Sequence, residues 1–287
     1  KEVQKIALCF IENADNVDLA SSEGGGYWKV IYLFRRHTAV GKANTKYSLV
    51  GYMTLFHFFS PFKKPKGGVV IRICQALVLP PYQRAGHGKV MFNAVHDIAN
   101  QKYKVEDKSL VPAAHNEDGI VEINVEDPAP SFMALRDKVD YESLLRACKE
   151  NTRAPWGLEH KYISSTLNAE NAKSFFVPLP EADAVAAGAV AKITSRQVTT
   201  TYELYKLRAL QDALENEQES NPTSPLSNRE IFEKEYRLMV KRRLLKTHRE
   251  DLGGLTTKED KQAYLAKAFD QVQSHYLAVI GFKRSLR

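Results

Sequence analysis

Two stretches of this chain carry residue types and spacings that could do chemistry. The first is Glu122, Asn124, Glu126 and Asp127, within Ile120-Val-Glu-Ile-Asn-Val-Glu-Asp127. Alternation puts Glu122, Asn124 and Glu126 on one face of a strand, an odd pattern for a buried parallel strand unless that face lines a cavity. Glu126 and Asp127 stand at its carboxyl end, where α/β sheets form their ligand crevices, and a carboxylate there can accept a proton as a reaction proceeds. The other reading is a polar strand end whose Asp caps the following helix. The second stretch is Gln83-Arg84-Ala85-Gly86-His87-Gly88, followed by Lys89. The apolar run Cys74-Gln-Ala-Leu-Val-Leu79 and the turn pair Pro80-Pro81 lead into it. Val90, Met91, Ala94, Val95 and Ile98 follow at helical spacing. A strand, a glycine turn and a helix N-terminus form an anion site, because the backbone can approach closely and unpaired N–H groups face the charge. The spacing Q-x-x-G-x-G is neither the dinucleotide fingerprint nor a Walker loop, which would need Gly and Ser or Thr where Gln83 and Val90 stand. Read by itself, the hexapeptide equally describes a strand-to-helix turn without a ligand.

The elements that must position these residues can be read from periodicity and turn chemistry. Val3, Ile6, Ala7, Phe10 and Ile11 predict a helix over 2–13, and Gly24-Gly-Gly26 breaks the chain. Residues 27–34 and 47–59 are aromatic and β-branched and predict strands. A Pro/Gly/Lys turn at 61–68 leads to a strand over 69–79, then a helix over 86–101. Residues 102–118 are polar and predict a surface insertion. A strand over 120–125 and a helix beginning at 131–139 complete this half. From about Tyr141 the texture becomes Ala-rich and charged, predicting helices over 181–192, 195–217, 228–250 and 257–280, with Asn221-Pro-Thr-Ser-Pro225 as a linker. The division expected is therefore an α/β core over 1–140 and a helical extension over 141–287.

Composition bounds the partners. The chain has 287 residues, 44% hydrophobic and 26% charged, ordinary values for a globular protein able to bury a large core. No apolar run approaches the ~20 residues of a membrane helix, so no membrane partner is expected. Lys1 is not Met and no signal-peptide pattern follows, which suggests a fragment or processed chain. Cys9, Cys74 and Cys148 cannot build a disulfide framework and lack metal-site spacing, so no metal and a reducing compartment are expected. A net charge of +7 fits an anionic cofactor or a solvated basic surface. Its late cluster, Lys241-Arg-Arg243, Lys246, His248 and Arg249, has no base-reading or stacking motif beside it, so direct nucleic-acid binding is not expected. His57 and His96 fall in aromatic or helical contexts, His87 in the loop, and Cys74 has no base beside it in sequence.

Q-x-x-G-x-G after a strand resembles the pyrophosphate loop of the GCN5-related N-acetyltransferases. Val50-Gly-Tyr-Met-Thr54 precedes the loop; Val125-Glu-Asp-Pro128, Leu135-Arg-Asp137, Tyr202-Glu-Leu-Tyr-Lys-Leu-Arg208 and Tyr236-Arg-Leu-Met-Val-Lys-Arg-Arg-Leu244 follow it. In that order, over most of residues 1–250, the chain resembles the type B histone acetyltransferase catalytic subunits. The resemblance implies an α/β GCN5-related N-acetyltransferase fold, with a mixed, mostly antiparallel sheet flanked by helices and a helical C-terminal extension. It also implies a small N-terminal domain, expected to be missing ahead of Lys1. The activity implied is transfer of the acetyl group of acetyl-CoA to lysines of free histone tails, chiefly histone four, in nucleus and cytoplasm, with a WD-repeat histone chaperone as partner. Acetyl-CoA would lie along Ala76, Leu77 and Val78, its pyrophosphate on Gln83, Arg84, Ala85, Gly86, His87, Gly88 and Lys89, with Ser131 nearby.

Such chemistry needs a neutral amine. At pH 7.4 deprotonating a lysine of pKa ≈ 10.4 costs about 4 kcal/mol, so a base beside it matters. The resemblance implies Glu126 as general base, Asp127 supporting it, and Glu12 assisting. A basic histone tail would meet an acidic groove built from Glu12, Glu122, Glu126 and Asp127. A backbone N–H near Ala76–Val78 would stabilise the oxyanion of the tetrahedral intermediate. Two other functions stay open: a related acetyltransferase acting on protein N-termini or small amines, and a catalytically inactive histone- or nucleic-acid-binding scaffold.

Overall fold

A computed structural model describes residues 4–11, 14, 17–19, 25–38, 45–63, 67–100, 119–149, 155–163, 167–220 and 228–281. Glu12, the 102–118 insertion and the 221–225 linker lie outside the described residues. The chain divides into two compact units, the first comprising Lys1–Val139 with Gly188–Thr194, the second Asp140–Ala187 with Ser195–Arg287.

The first unit is built on one four-stranded mixed sheet in the order β1-β2-β3-β4. The long aromatic and β-branched runs form β1 (Gly26–Thr38), β2 (Thr45–Ser60) and β3 (Gly68–Val78), paired antiparallel in sequence. Strand β4 (Ile120–Val125) then adds parallel to β3. Between them runs helix α1 (His87–Ala99), whose Met91, Phe92, Val95 and Ala99 are buried. These four pack with Met53, Leu55, Ile71, Ile73 and Ile123 into the core on one sheet face. Burying side chains of this size contributes about 1.5–3 kcal/mol each. Helix α2 (Pro130–Lys149) starts in this unit, where Phe132, Leu135 and Val139 pack on the same core. The opposite face holds a smaller cluster of Ala7, Tyr52 and Leu77, with Ile6, Ile11 and Ala14 against it. The helix predicted over 2–13 is, where described, a 3₁₀ turn over Gln4–Cys9. Its Ile6 and Ala7 are used in this small cluster, whereas Leu8 is exposed.

The segment Gly188–Thr194 returns to the first unit. Ile193 forms a parallel bridge with Ile123, Ile123 N–H donates to the Lys192 carbonyl at 2.8 Å, and the Lys192 ammonium reaches the Ile120 carbonyl. The free edge of β4 is thereby covered.

The second unit is helical. Short helices α3 (His160–Ile163) and α4 (Ala172–Phe175) precede α5 (Glu181–Ala191), α6 (Ser195–Ser220), α7 (Arg229–Thr247), α8 (Arg249–Gly253) and α9 (Lys258–Ile280). Helices α6, α7 and α9 pack on one another. Rings of Phe176, Tyr236 and Phe269 meet edge-on in sequence. Helix α9 is bounded by local chemistry: Thr257 Oγ1 accepts from Asp260 N–H at 3.0 Å, and Gly281 at φ 83° ends it. The single helix predicted over 228–250 is broken at His248 into α7 and α8.

Candidate functional site

Strands β3 and β4 part where the chemistry is expected. Their ladder runs from Val69↔Ile120 to Ile73↔Val125, and Glu126 N–H donates a last bond to the Ile73 carbonyl at 3.0 Å. Beyond Ile73, β3 continues to Val78 against β2 alone, with Met53↔Ala76, Tyr52↔Leu77 and Gly51↔Val78 paired. Residues Ala76, Leu77 and Val78 therefore have no β4 partner on their second side, and by the alternation of an antiparallel ladder the backbone groups of Ala76 and Val78 face away from β2 while those of Leu77 face it. The parting coincides with a β-bulge, because Thr54 pairs with Gln75 and Leu55 with Ile73, leaving Cys74 as the extra residue. The bulge inverts side-chain parity. Ile71 and Ile73 pack on the α1 core before it, Ala76 and Val78 after it, while Leu77 turns to the opposite face.

Past Val78 the chain makes a tight path into α1. Leu79 N–H donates to the Val50 carbonyl at 2.9 Å, and a 3₁₀ turn covers Pro80–Tyr82. The Gln83 side chain folds back and donates to the Val78 carbonyl at 2.9 Å, tying the loop to the strand end. Arg84 at φ 61° and Gly86 at φ 83° are both left-handed, and Gly86 occupies the N-cap of α1. Residues Gln83, Arg84, Ala85 and Gly86 are exposed, with His87, Gly88 and Lys89 half-buried. The first N–H groups of α1 lack intrahelical partners by position, and Gly86 at the N-cap has no side chain to cap them. Two glycines serve different needs here. Gly86 supplies the left-handed φ, whereas a Cβ on Gly88 would lie 2.9 Å from Leu135 Cδ2. The His87 ring meets Tyr82 edge-on, at 6.2 Å between centroids.

On the sheet face away from α1, the carboxylates of β4 meet cations that sequence reading missed. Glu122 accepts from Lys63 Nζ at 2.6 Å. Asn124 Oδ1 accepts from Arg72 Nε at 3.4 Å, and Arg72 Nη1 lies 3.8 Å from Glu126 Oε1. The Arg72 guanidinium stacks over Phe58 at 4.9 Å. The one signal for Arg72 is a charged residue at an alternate position inside Val69-Val-Ile-Arg-Ile73. Glu126 and Asp127 are exposed at the exit of β4. Asp127 does not cap α2: Pro130 opens that helix and the Ala129 carbonyl accepts from Phe132 and Met133 N–H at 2.9 and 3.0 Å. Instead Asp127 is left-handed at φ 34°, a costly conformation for a non-glycine residue and one concentrated at functional positions. Ser131 is exposed in the first turn of α2. Burial, and next the Glu126 carboxylate beside it, push the Cys74 thiol up to about 12. At neutral pH it is protonated and a poor nucleophile.

The described site thus brings Glu126, Asp127, the open edge at Ala76–Val78 and the turn at Gln83–Lys89 into one unit. The acidic groove expected from Glu122 is altered, since Lys63 neutralises that carboxylate. Among the described residues no group of three or more His, Cys, Asp or Glu side chains could hold a metal ion. No described helix is long and apolar enough to cross a membrane.

No known family model matches the chain. Curated relatives do. A histone acetyltransferase type B catalytic subunit of Dictyostelium discoideum is 33% identical over 118 residues, which are 41% of this chain and 22% of that protein. The proteins of that description from Cryptococcus neoformans and Mycosarcoma maydis match 98% of the chain at 27% and 25% identity. The matches cover 55% and 50% of those two proteins, so the chain spans about half the length of these fungal relatives.

Proposed function

We propose that this chain carries the catalytic core of a histone acetyltransferase with a GCN5-related N-acetyltransferase fold. Its co-substrate is acetyl-CoA, and its acceptors are lysine side chains of free histone tails, chiefly histone four. The observation that carries the reading is the parting of β3 and β4. It leaves an unpaired strand edge leading into a glycine turn at one end and puts a carboxylate pair beside it. The similarity to type B catalytic subunits over 98% of the chain supports the same assignment. A WD-repeat histone chaperone as partner and a nuclear and cytoplasmic location belong to this proposal.

The residues fit the co-substrate. Bound acetyl-CoA supplies an activated acyl carbon. Its amide-bearing arm would lie along Ala76, Leu77 and Val78 and pair with the outward backbone groups of Ala76 and the Val78 N–H, the Val78 carbonyl being held by Gln83. The N–H groups at the start of α1, reached through Gln83–Lys89, would take the pyrophosphate, with Ser131 nearby. A backbone N–H of the open edge would stabilise the oxyanion as the amine attacks. Glu126 receives the proton of the incoming ammonium, directly or through one water, and Asp127 supports it. Burial and the Glu126 carboxylate make the Cys74 thiol a poor nucleophile, which supports direct attack by the amine over an acyl-enzyme.

The test is incubation with acetyl-CoA and free core histones, with acetyl-lysine read by mass spectrometry for the native chain and Glu126→Gln. Tail acetylation that falls at least about 100-fold in the variant, the scale of a general base, supports both function and base. Native-level activity in the variant removes Glu126 from that role. Acetylation of small amines or protein N-termini in place of histones would replace the acceptor class.

A further inference from the structure

From the geometry around β4 we infer that Arg72 is a positioning residue for the carboxylate of Glu126, an inference that rests on the reading of Glu126 as base. Two independent contacts hold its guanidinium before it meets Glu126. Arg72 projects from β3, strand β2 provides the Phe58 ring beneath it at 4.9 Å, and β4 provides Asn124 Oδ1 at 3.4 Å from Nε. A planar cation stacked on an aromatic face and tethered at Nε has little freedom left, a geometry lysine cannot reproduce. Asn124 is held in turn, with its Nδ2 3.5 Å from Glu122 Oε1, and Glu122 is bound by Lys63. A chain of alternating charge and amide, Lys63–Glu122–Asn124–Arg72–Glu126, thus runs along one sheet face and ends at the proposed base.

The last spacing in that chain decides its use. Nη1 and Oε1 stand 3.8 Å apart, longer than a direct hydrogen bond. The carboxylate is oriented by the cation but not consumed by it, leaving oxygen lone pairs for an incoming ammonium. A full bidentate pair would satisfy the carboxylate and compete with the substrate. The other charged or titratable groups around this position are Cys74 on β3, Asp127 after β4, and Glu122 with Lys63. Among the described residues, the Arg72 guanidinium is the cation within ion-pair distance of Glu126.

Arg72→Gln, Arg72→Lys, Glu126→Gln and the double variant Arg72→Gln/Glu126→Gln test this by steady-state kinetics on a histone-tail peptide, with melting curves to check folding. A positioning role predicts that Arg72→Gln lowers kcat about tenfold with KM for both substrates within twofold, the scale seen for second-layer partners of active groups. Arg72→Lys recovers part of that loss. In the Glu126→Gln background the same change costs less than twofold, because the group it positions is gone. Phe58→Leu, which removes only the stacking face, lowers kcat by a smaller factor. Native kcat in Arg72→Gln, or an equal loss in both backgrounds, overturns the positioning role while leaving Glu126 in place. A Glu126→Gln variant as active as the native chain overturns the base assignment instead, and this inference falls with it.

Discussion

Lys206, on α6, is buried among aromatic rings, and its ammonium has no hydrogen-bond partner among the described residues. Its Nζ lies 3.6 Å from the Phe175 ring centroid and 5.3 Å from that of Tyr202, contacts that return part of the lost hydration. Burial lowers its pKa from 10.5 to about 7. Between those values the unfolded chain binds a proton that the folded chain does not, so stability rises with pH over that window and falls as pH drops toward 7. Below about 7 the penalty is constant. Lys206→Met is predicted to stabilise the protein at pH 7 by about 1–3 kcal/mol, as apolar replacement of buried charge does. It should also flatten the rise between pH 7 and 9.5, as measured by urea unfolding at both pH values. An unchanged slope would show that the ammonium is not the group responsible. Glu203 is a buried carboxylate with a different solution: it accepts from Arg243 at 2.7 and 2.8 Å and from the Tyr276 hydroxyl at 2.9 Å, joining α6, α7 and α9. In sequence, the Tyr202-Glu-Leu-Tyr-Lys-Leu-Arg208 run shows a helix with charges in it. Which of those charges are buried depends on rings from other helices and is not encoded locally.

At the scale of elements, the edge of β3 is set by Gly51. A Cβ there would sit 2.2 Å from the Leu77 carbonyl oxygen and 3.1 Å from Val78 Cα, both backbone atoms that cannot swing aside. Gly51→Ala is predicted to push this edge out of register and to cost about 1–3 kcal/mol, the range for overpacking. It should also weaken acetyl-CoA binding, read by calorimetry. Gly88→Ala meets only the end of the Leu135 side chain and should retain the fold. Much of this arrangement is legible in the residues. Alternating β-branched and aromatic runs mark β1 to β3, and the glycine turn before Val90, Met91 and Val95 marks the start of α1 to within a residue. Other parts are not. The bulge at Cys74 inverts which side chains face the core, and periodicity through Cys74-Gln-Ala-Leu-Val78 reads smoothly across it. Nor does Val-Ile-Arg-Ile announce that Arg72 will be stacked on Phe58, a contact made by strand register. The return of Gly188–Thr194 to β4 is a long-range pairing with no local signal.

For the whole molecule, a net charge of +7 must be reconciled with a basic acceptor. Lys63 and Arg72 answer two of the β4 carboxylates, so the proposed acceptor groove is not a uniform acidic trough. Recognition of a histone tail would rest on the exposed Glu126 and Asp127 at the strand exit, with the general basicity serving the anionic co-substrate. The second unit, packed by α6, α7 and α9, has its own core of Tyr202, Leu207, Phe232, Tyr236 and Phe269. The central claim, that acetyl-CoA is held between the open edge of β3 and the turn into α1, is tested most directly by amide hydrogen exchange with and without acetyl-CoA. The account predicts slowed exchange confined chiefly to Ala76–Val78 and Gly86–Lys89, with weaker protection elsewhere in the first unit. Acetyl-CoA that leaves exchange in both segments unchanged would contradict it.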